Sequence, residues 1–130
     1  MKTGIKGESS FTVTNEMLAS KIGSGAVEVF STPSMITAIE RTAEASVIPF
    51  LESGAVTVGS HVDVAHNDAT LEGMKVFVYT ELTEISENGK FLTFKAEVKD
   101  DYGVIGCGTH VRAIINKARF IEKIKAKKGQ

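Results

Sequence analysis

The sequence predicts an α+β fold in which one long helix lies against an antiparallel sheet. Two patterns and one turn carry this. From Pro33 to Leu51, Met35, Ile36, Ile39, Ala43, Val47 and Ile48 fall near helical spacing. From Val56 to Ile115 the pattern changes to strands, with Leu92, Phe94, Ala96 and Val98 alternating against Thr93, Lys95, Glu97 and Lys99. Between two of these strands, Asn88-Gly89 reads as a type I′ hairpin turn, because both residues tolerate positive φ. A strand, a helix and then four antiparallel strands make an α+β architecture.

In chain order, Phe11, Val13 and Asn15 alternate with Thr12 and Thr14, a first-strand signal. Ile22-Gly23-Ser24-Gly25-Ala26 bends, and Val27 to Phe30 forms a short strand leading into the helix. Thr32 is placed to cap that helix, and Pro33 suits its first turn, where a missing N–H costs nothing. Pro49 loosens its end. Ala38, Ala43, Ala45 and Ser46 allow close approach of other backbones. Val56, Val58, Val62 and Val64 share one parity, which His66 continues. Val76 to Ile85 is a strand, Asp100-Asp101-Tyr102-Gly103 turns, and Val104 to Ile115 returns. Gly106 and Gly108 mark a bulge or a close backbone contact there. Lys117 to Lys128 has six Lys/Arg and one Glu around Phe120, Ile121 and Ile124. It reads as an amphipathic surface tail or as a positive rim for a phosphorylated ligand.

The 130 residues fit one domain spanning 1–130, large enough for a core without staples. A net charge of −1 argues against nucleic acid as the main partner. No apolar run approaches the roughly 20 residues of a membrane span, and Met1 to Glu8 lacks the apolar stretch of a signal peptide. With Cys107 as the single cysteine, a cytoplasmic location is expected, and Cys107 itself reads as a small packed residue. Three histidines and one cysteine show no zinc-ligand spacing, so no metal is expected. There is no G-x-S-x-G elbow, and Gly23-Ser24-Gly25 lacks the Lys-Ser/Thr of a phosphate-binding loop.

Chemistry concentrates at Thr32, Glu40 and His66: a hydroxyl at a helix start, a carboxylate two turns in and an imidazole ending the next strand. These are the groups acyl-transfer hydrolysis requires, and the helix start adds amides suited to a polarised carbonyl. Each has a plainer alternative. Thr32 caps the helix, and His66 is a structural histidine on a valine-lined face. Glu40 is a carboxylate that is costly to bury without a partner, with Arg41 off its face and Glu44 repelling it. Eight residues along a helix separate Thr32 from Glu40 by about 12 Å. Either the first turn is irregular, or the two act on different parts of one substrate. His61 lies on the opposite parity from His66 and reads as a surface residue.

Glu28-Val29-Phe30, Thr32, Glu40, Gly59, His66, Gly108-Thr109-His110 and Arg112, in this order and spacing, resemble the hotdog-fold thioesterases. The likeness is to the fluoroacetyl-coenzyme A thioesterase type. It covers nearly the whole chain and includes Gly59 seven residues before His66. The resemblance implies a hotdog fold, a catalytic set of Thr32, Glu40 and His66, a backbone contact from Gly59 and a site contribution from Arg112. It also implies homodimers paired through sheet edges, with sites between subunits. In the fluoroacetyl-specific enzyme, phenylalanines precede the Glu-Val-Phe stretch and gate the pocket. Here that segment is Gly23-Ser24-Gly25-Ala26-Val27, so the implied acyl preference stays open.

The expected function is hydrolysis of a small acyl-coenzyme A thioester to acid and coenzyme A, with no cofactor. Glu40 and His66 are expected to act as a pair. The alternatives are an acyl-coenzyme A hydratase or dehydratase and a non-catalytic acyl-coenzyme A binding module. Val and Phe on both parities of Val76–Tyr79 predict a homodimer or dimer of dimers. Arg112 and the basic tail are expected to face the coenzyme A phosphates.

Overall fold

The computed structural model describes residues 1–129. It consists of β1 (Lys6–Thr12), α1 (Ala19–Ile22), α2 (Thr32–Val47), β2 (Ala55–His66), β3 (Lys75–Ile85), β4 (Phe91–Asp100), β5 (Gly103–Asn116) and α3 (Lys117–Lys128). The five strands form one antiparallel sheet in the order β1-β3-β4-β5-β2, and α2 lies across its inner face. This is the curved sheet around a long helix that the sequence predicts.

Alternation builds the core. Leu92, Phe94, Ala96 and Val98 of β4 and Val76, Val78 and Leu82 of β3 turn inward and are fully buried. They meet Met35, Ile39, Ala43 and Val47 of α2, which recur at helical spacing. β1 contributes Phe11 at one end and the small residues Gly7 and Ser9 nearer the other. A β-carbon at Gly7 would press on the Thr42 carbonyl at 2.9 Å, and Ser9 shares a 2.7 Å hydrogen bond with Thr42. The helix therefore sits close to that edge.

Several local expectations need correction. The first strand is Lys6–Thr12, and the chain leaves the sheet before Asn15, which opens a single 3-10 turn. Val27 to Phe30 is not a strand: only Phe30 forms a bridge, to Leu18. The α-helix stops at Val47, and Ile48–Phe50 is a 3-10 turn around Pro49, which cannot donate to the α-helical ladder. The Asn88-Gly89 turn is not type I′, since Asn88 has no positive φ. Gly89 N–H donates to the Ser86 carbonyl and Gly89 alone has φ +73°, while the Asn88 side chain accepts from the Lys90 N–H. A side-chain bond that closes the loop makes a second positive φ unnecessary. The tail is a helix, α3, whose side chains are all exposed. Cys107 is exposed on the outer face of β5.

One irregularity sets the position of the site. The β2–β5 register shifts between Gly59 and His61, a β-bulge at Ser60. Thr57 and Gly59 on one side of it, and Val64 and His66 on the other, all face inward: Thr57 is buried against Arg112, Gly59 abuts Glu40, Val64 packs on the core and His66 meets Thr32. Strict alternation would have put Gly59 and His66 on opposite faces. The single parity expected from Val56 to His66 is thus broken, because the extra residue reverses the phase. Gly106 lies beside a second bulge, at Ile105 in the β4–β5 pairing, and both Gly106 and Gly108 are also close backbone contacts. β-Carbons there would strike the Ala65 carbonyl and Val64, respectively.

Candidate active site

The candidate residues form two groups along α2. At its start, Ser31 is the N-cap: its hydroxyl accepts from the Ser34 N–H at 3.1 Å, with Pro33 in the first turn. The cap is therefore Ser31 and not Thr32, which leaves the Thr32 hydroxyl free. It shares a 2.8 Å hydrogen bond with His66 Nδ1. With Ser34 bonded to Ser31 Oγ, Met35 to the Ser31 carbonyl, and no N–H on Pro33, the first turn offers only the Thr32 amide to an oxyanion.

His66 is half-buried, with Phe30 edge-on to its ring at 6.1 Å. Its Nε2 is buried without a hydrogen-bond partner. Desolvation by burial lowers its pKa below the ordinary 6.5, opposed by the backbone and carboxylate of Asp68. In the tautomer protonated at Nε2, Nδ1 accepts from the Thr32 hydroxyl, which is the geometry of a base poised on a nucleophile or on the hydroxyl that holds one. A cavity of about 350 Å³ opens here, bounded by Val29, Phe30, Thr32, His66 and Asp68. The segment from Lys21 to Glu28 beside it is exposed and carries no aromatic side chain.

The second group lies two turns along. α2 is a continuous α-helix, so Thr32 and Glu40 stand about 12 Å apart along it. The first turn is regular, and the expected Glu40–His66 pair does not form within the chain. Glu40 instead faces Arg112 of β5, with Nη1 to Oε2 at 3.6 Å, and Glu44 shares the same guanidinium at 3.7 Å. One cation thereby relieves the repulsion of two carboxylates one turn apart. Gly59 leaves the space: a β-carbon there would collide with the Glu40 carboxylate.

Arg112 is 4% exposed and held on its inner side, Nε donating to Thr57 Oγ1 at 2.8 Å and Nη2 to the Thr57 carbonyl at 3.0 Å. Burial lowers its pKa, with Glu44 and Glu40 acting in the opposite sense. It is therefore not free to meet a phosphate, contrary to expectation. His110 and Thr57 complete this group; the sequence offers His110 only within the Gly108-Thr109-His110 motif, without a role, and does not single out Thr57. The available signal was the i, i+2 spacing of His110 and Arg112 on one face of a strand. A larger groove of about 670 Å³ lies on the other flank of α2 against β1, and contains none of these residues.

Residues 13–118 match the profile of the fluoroacetyl-CoA-specific thioesterase family. The chain belongs to that family. A fluoroacetyl-CoA thioesterase of Streptantibioticus cattleyicolor is 34% identical over 100 residues, covering 77% of this chain and 70% of that protein. Superposed on a structure of the fluoroacetyl-CoA thioesterase, this member of the family gives a TM-score of 0.89 at 28% identity, over 98% of this chain and 97% of the other. A thioesterase superfamily member from Thermus thermophilus gives 0.89 at 27% identity, over 98% and 93%. A hot-dog-like protein from Thermanaerovibrio acidaminovorans, 16% identical with a TM-score of 0.88 over 98% and 93%, shares the fold.

Proposed function

We propose that the protein hydrolyses a small acyl-coenzyme A thioester to the free acid and coenzyme A. The observation that carries this is the Thr32–His66 hydrogen bond at a capped helix start, in a chain of a thioesterase family. The Thr32 hydroxyl attacks the thioester carbonyl while His66 takes its proton; the C–S bond breaks, His66 passes that proton to the leaving thiolate, and the acyl group stays as an ester on Thr32. In a site shared by two subunits, the Thr32 amide and the partner's Gly59 backbone face the oxyanion, and the partner's Glu40 activates the water that cleaves the acyl ester, the Thr32 oxygen regaining its proton through His66. A thiolate leaves readily, so protein groups and water suffice. No aromatic lies between Gly23 and Val27 at the pocket mouth, and which small acyl group the site takes stays open. Thiol release from a panel of acyl-coenzyme A thioesters tests the reading. Enoyl absorbance changes without thiol release would mean a hydratase, and binding alone would mean a sensor.

The active unit in this reading is a homodimer with two composite sites. β2 is a 12-residue strand with one edge unpaired, and both half-sites border it: Glu40 at the level of Gly59, Thr32 at the level of His66. Antiparallel pairing of two β2 edges about a two-fold axis midway between Gly59 and His66 carries the partner's Glu40 to the level of this chain's Thr32. α3 leaves the sheet where Lys117 N–H meets the Gly54 carbonyl, at the end of β2 that this pairing carries past the partner's His66. Hybrids of Glu40→Gln and His66→Ala protomers test the arrangement. A composite site predicts that co-expressed hybrids regain turnover that neither parent has, because one site per hybrid is intact. Hybrids as inactive as the parents would place all the groups of one site in one chain.

A further inference from the structure

We propose that His110 is the positioning residue of the Glu40 half-site: its neutral ring presents a lone pair that fixes the Arg112 guanidinium, and Arg112 in turn fixes the Glu40 carboxylate. The proposal rests on the reading that Glu40 belongs to the catalytic machinery. His110 has no exposed surface, and its two nitrogens face partners of opposite kind. Nδ1 lies 2.8 Å from the His61 carbonyl, which only accepts, so Nδ1 carries the proton. Nε2 lies 3.1 Å from Arg112 Nη1, which only donates, so Nε2 carries the lone pair. Both contacts demand one neutral tautomer; a doubly protonated ring would point an N–H at a guanidinium. Phe94, stacked at 6.4 Å and 28°, fixes the ring plane.

The nature of the acceptors matters. His110 Nε2, Thr57 Oγ1 and the Thr57 carbonyl satisfy three guanidinium donors without neutralising its charge. The whole positive charge is left for the outer side, where Glu40 and Glu44 stand. The Glu40 side chain is 39% exposed, and without a fixed cation it would be free to swing into solvent. A buried, fully satisfied network is how a partly exposed carboxylate acquires one orientation.

Two substitutions separate positioning from packing. In His110→Gln the amide oxygen takes the place of Nε2, so the contact to Arg112 survives. In His110→Asn the amide nitrogen takes the place of Nδ1, so the His61 contact survives and Arg112 loses its acceptor. Positioning predicts that His110→Gln keeps kcat within about threefold, whereas His110→Asn lowers it by about tenfold to a hundredfold at unchanged KM, the scale of a misplaced group. Thr57→Val, which removes another acceptor of Arg112, should behave like His110→Asn and decides the matter if the latter fails to fold. Wild-type kcat in both His110→Asn and Thr57→Val would overturn the proposal. So would equal losses in His110→Gln and His110→Asn that merely follow the folded fraction. Glu40→Gln separates the two layers: wild-type turnover there removes the catalytic reading itself, while an inactive Glu40→Gln beside an unaffected His110→Asn removes only the positioning.

Discussion

Thr32 is one position past the cap, and that single step decides what its removal would measure. Because Ser31 holds the cap, Thr32→Ala should leave thermal stability nearly unchanged, whereas loss of a true N-cap costs about 1 kcal/mol. Its hydroxyl serves His66, so turnover should fall by about a hundredfold or more in Thr32→Ala and in His66→Ala, the range of acid–base groups. The double variant should be little worse than the weaker single one, since residues acting as a unit lose their contribution once. Steady-state rates at matched folded fraction check this, and additive losses would show that the two act independently. Within one chain His66 is paired with Thr32, and Glu40 stands two turns away along α2.

At the scale of elements, the bulge in β2 and the glycine beside it set which face carries the candidate site. Gly59→Ala should fold, since position 59 is exposed, but it must push the Glu40 carboxylate off Arg112. A loss of about tenfold or more in kcat is expected, as for a misplaced catalytic group. Unchanged kcat would mean that Glu40 need not stand where it does. The inner strands also tie stability to pH. His66 and His110 both titrate below their ordinary 6.5 in the fold, chiefly through burial. As pH falls below 6.5, the unfolded chain binds protons that the native state refuses. The stabilisation is therefore complete above pH 6.5 and is lost as pH drops toward and through the folded values. Thermal midpoints measured against pH should decline on the acid side, and more gently in His110→Gln. An equal decline would mean that His110 contributes nothing to the slope.

For the whole molecule, charge is unevenly placed. The chain carries −1 overall, yet α3 holds six basic residues against one acidic, all exposed. With Arg112 withdrawn into the core, α3 is the densest exposed basic cluster that could attract coenzyme A phosphates. Added salt should then raise KM for an acyl-coenzyme A, because exposed charges are screened over about 8–10 Å at physiological ionic strength. A pantetheine thioester of the same acyl group, which has no phosphate, should show no such change. Equal salt responses of the two substrates would leave α3 a solvated surface. Sedimentation at micromolar concentration checks the assembly, and a monomeric mass would exclude composite sites.

Local pattern determined a good deal. Alternation from Leu92 to Val98 and helical spacing from Met35 to Val47 each select one face for burial, which fixes the fold class and the two layers. The order and spacing of Thr32, Glu40, Gly59, His66 and Arg112 carried the family. What local pattern does not contain is phase and partnership. One extra residue at Ser60 reverses which side chains of β2 face α2, and only the pairing with β5 reveals it. Whether Glu40 meets His66 or Arg112 depends on a regular helix holding Thr32 and Glu40 apart and on β5 lying between β4 and β2. His110 looked unremarkable because its significance lies in two contacts, to His61 and to Arg112, one of them 49 positions away along the chain. Hydrophobic periodicity is a property of neighbours in sequence, whereas a catalytic arrangement belongs to neighbours in space, so the tertiary structure alone decides it.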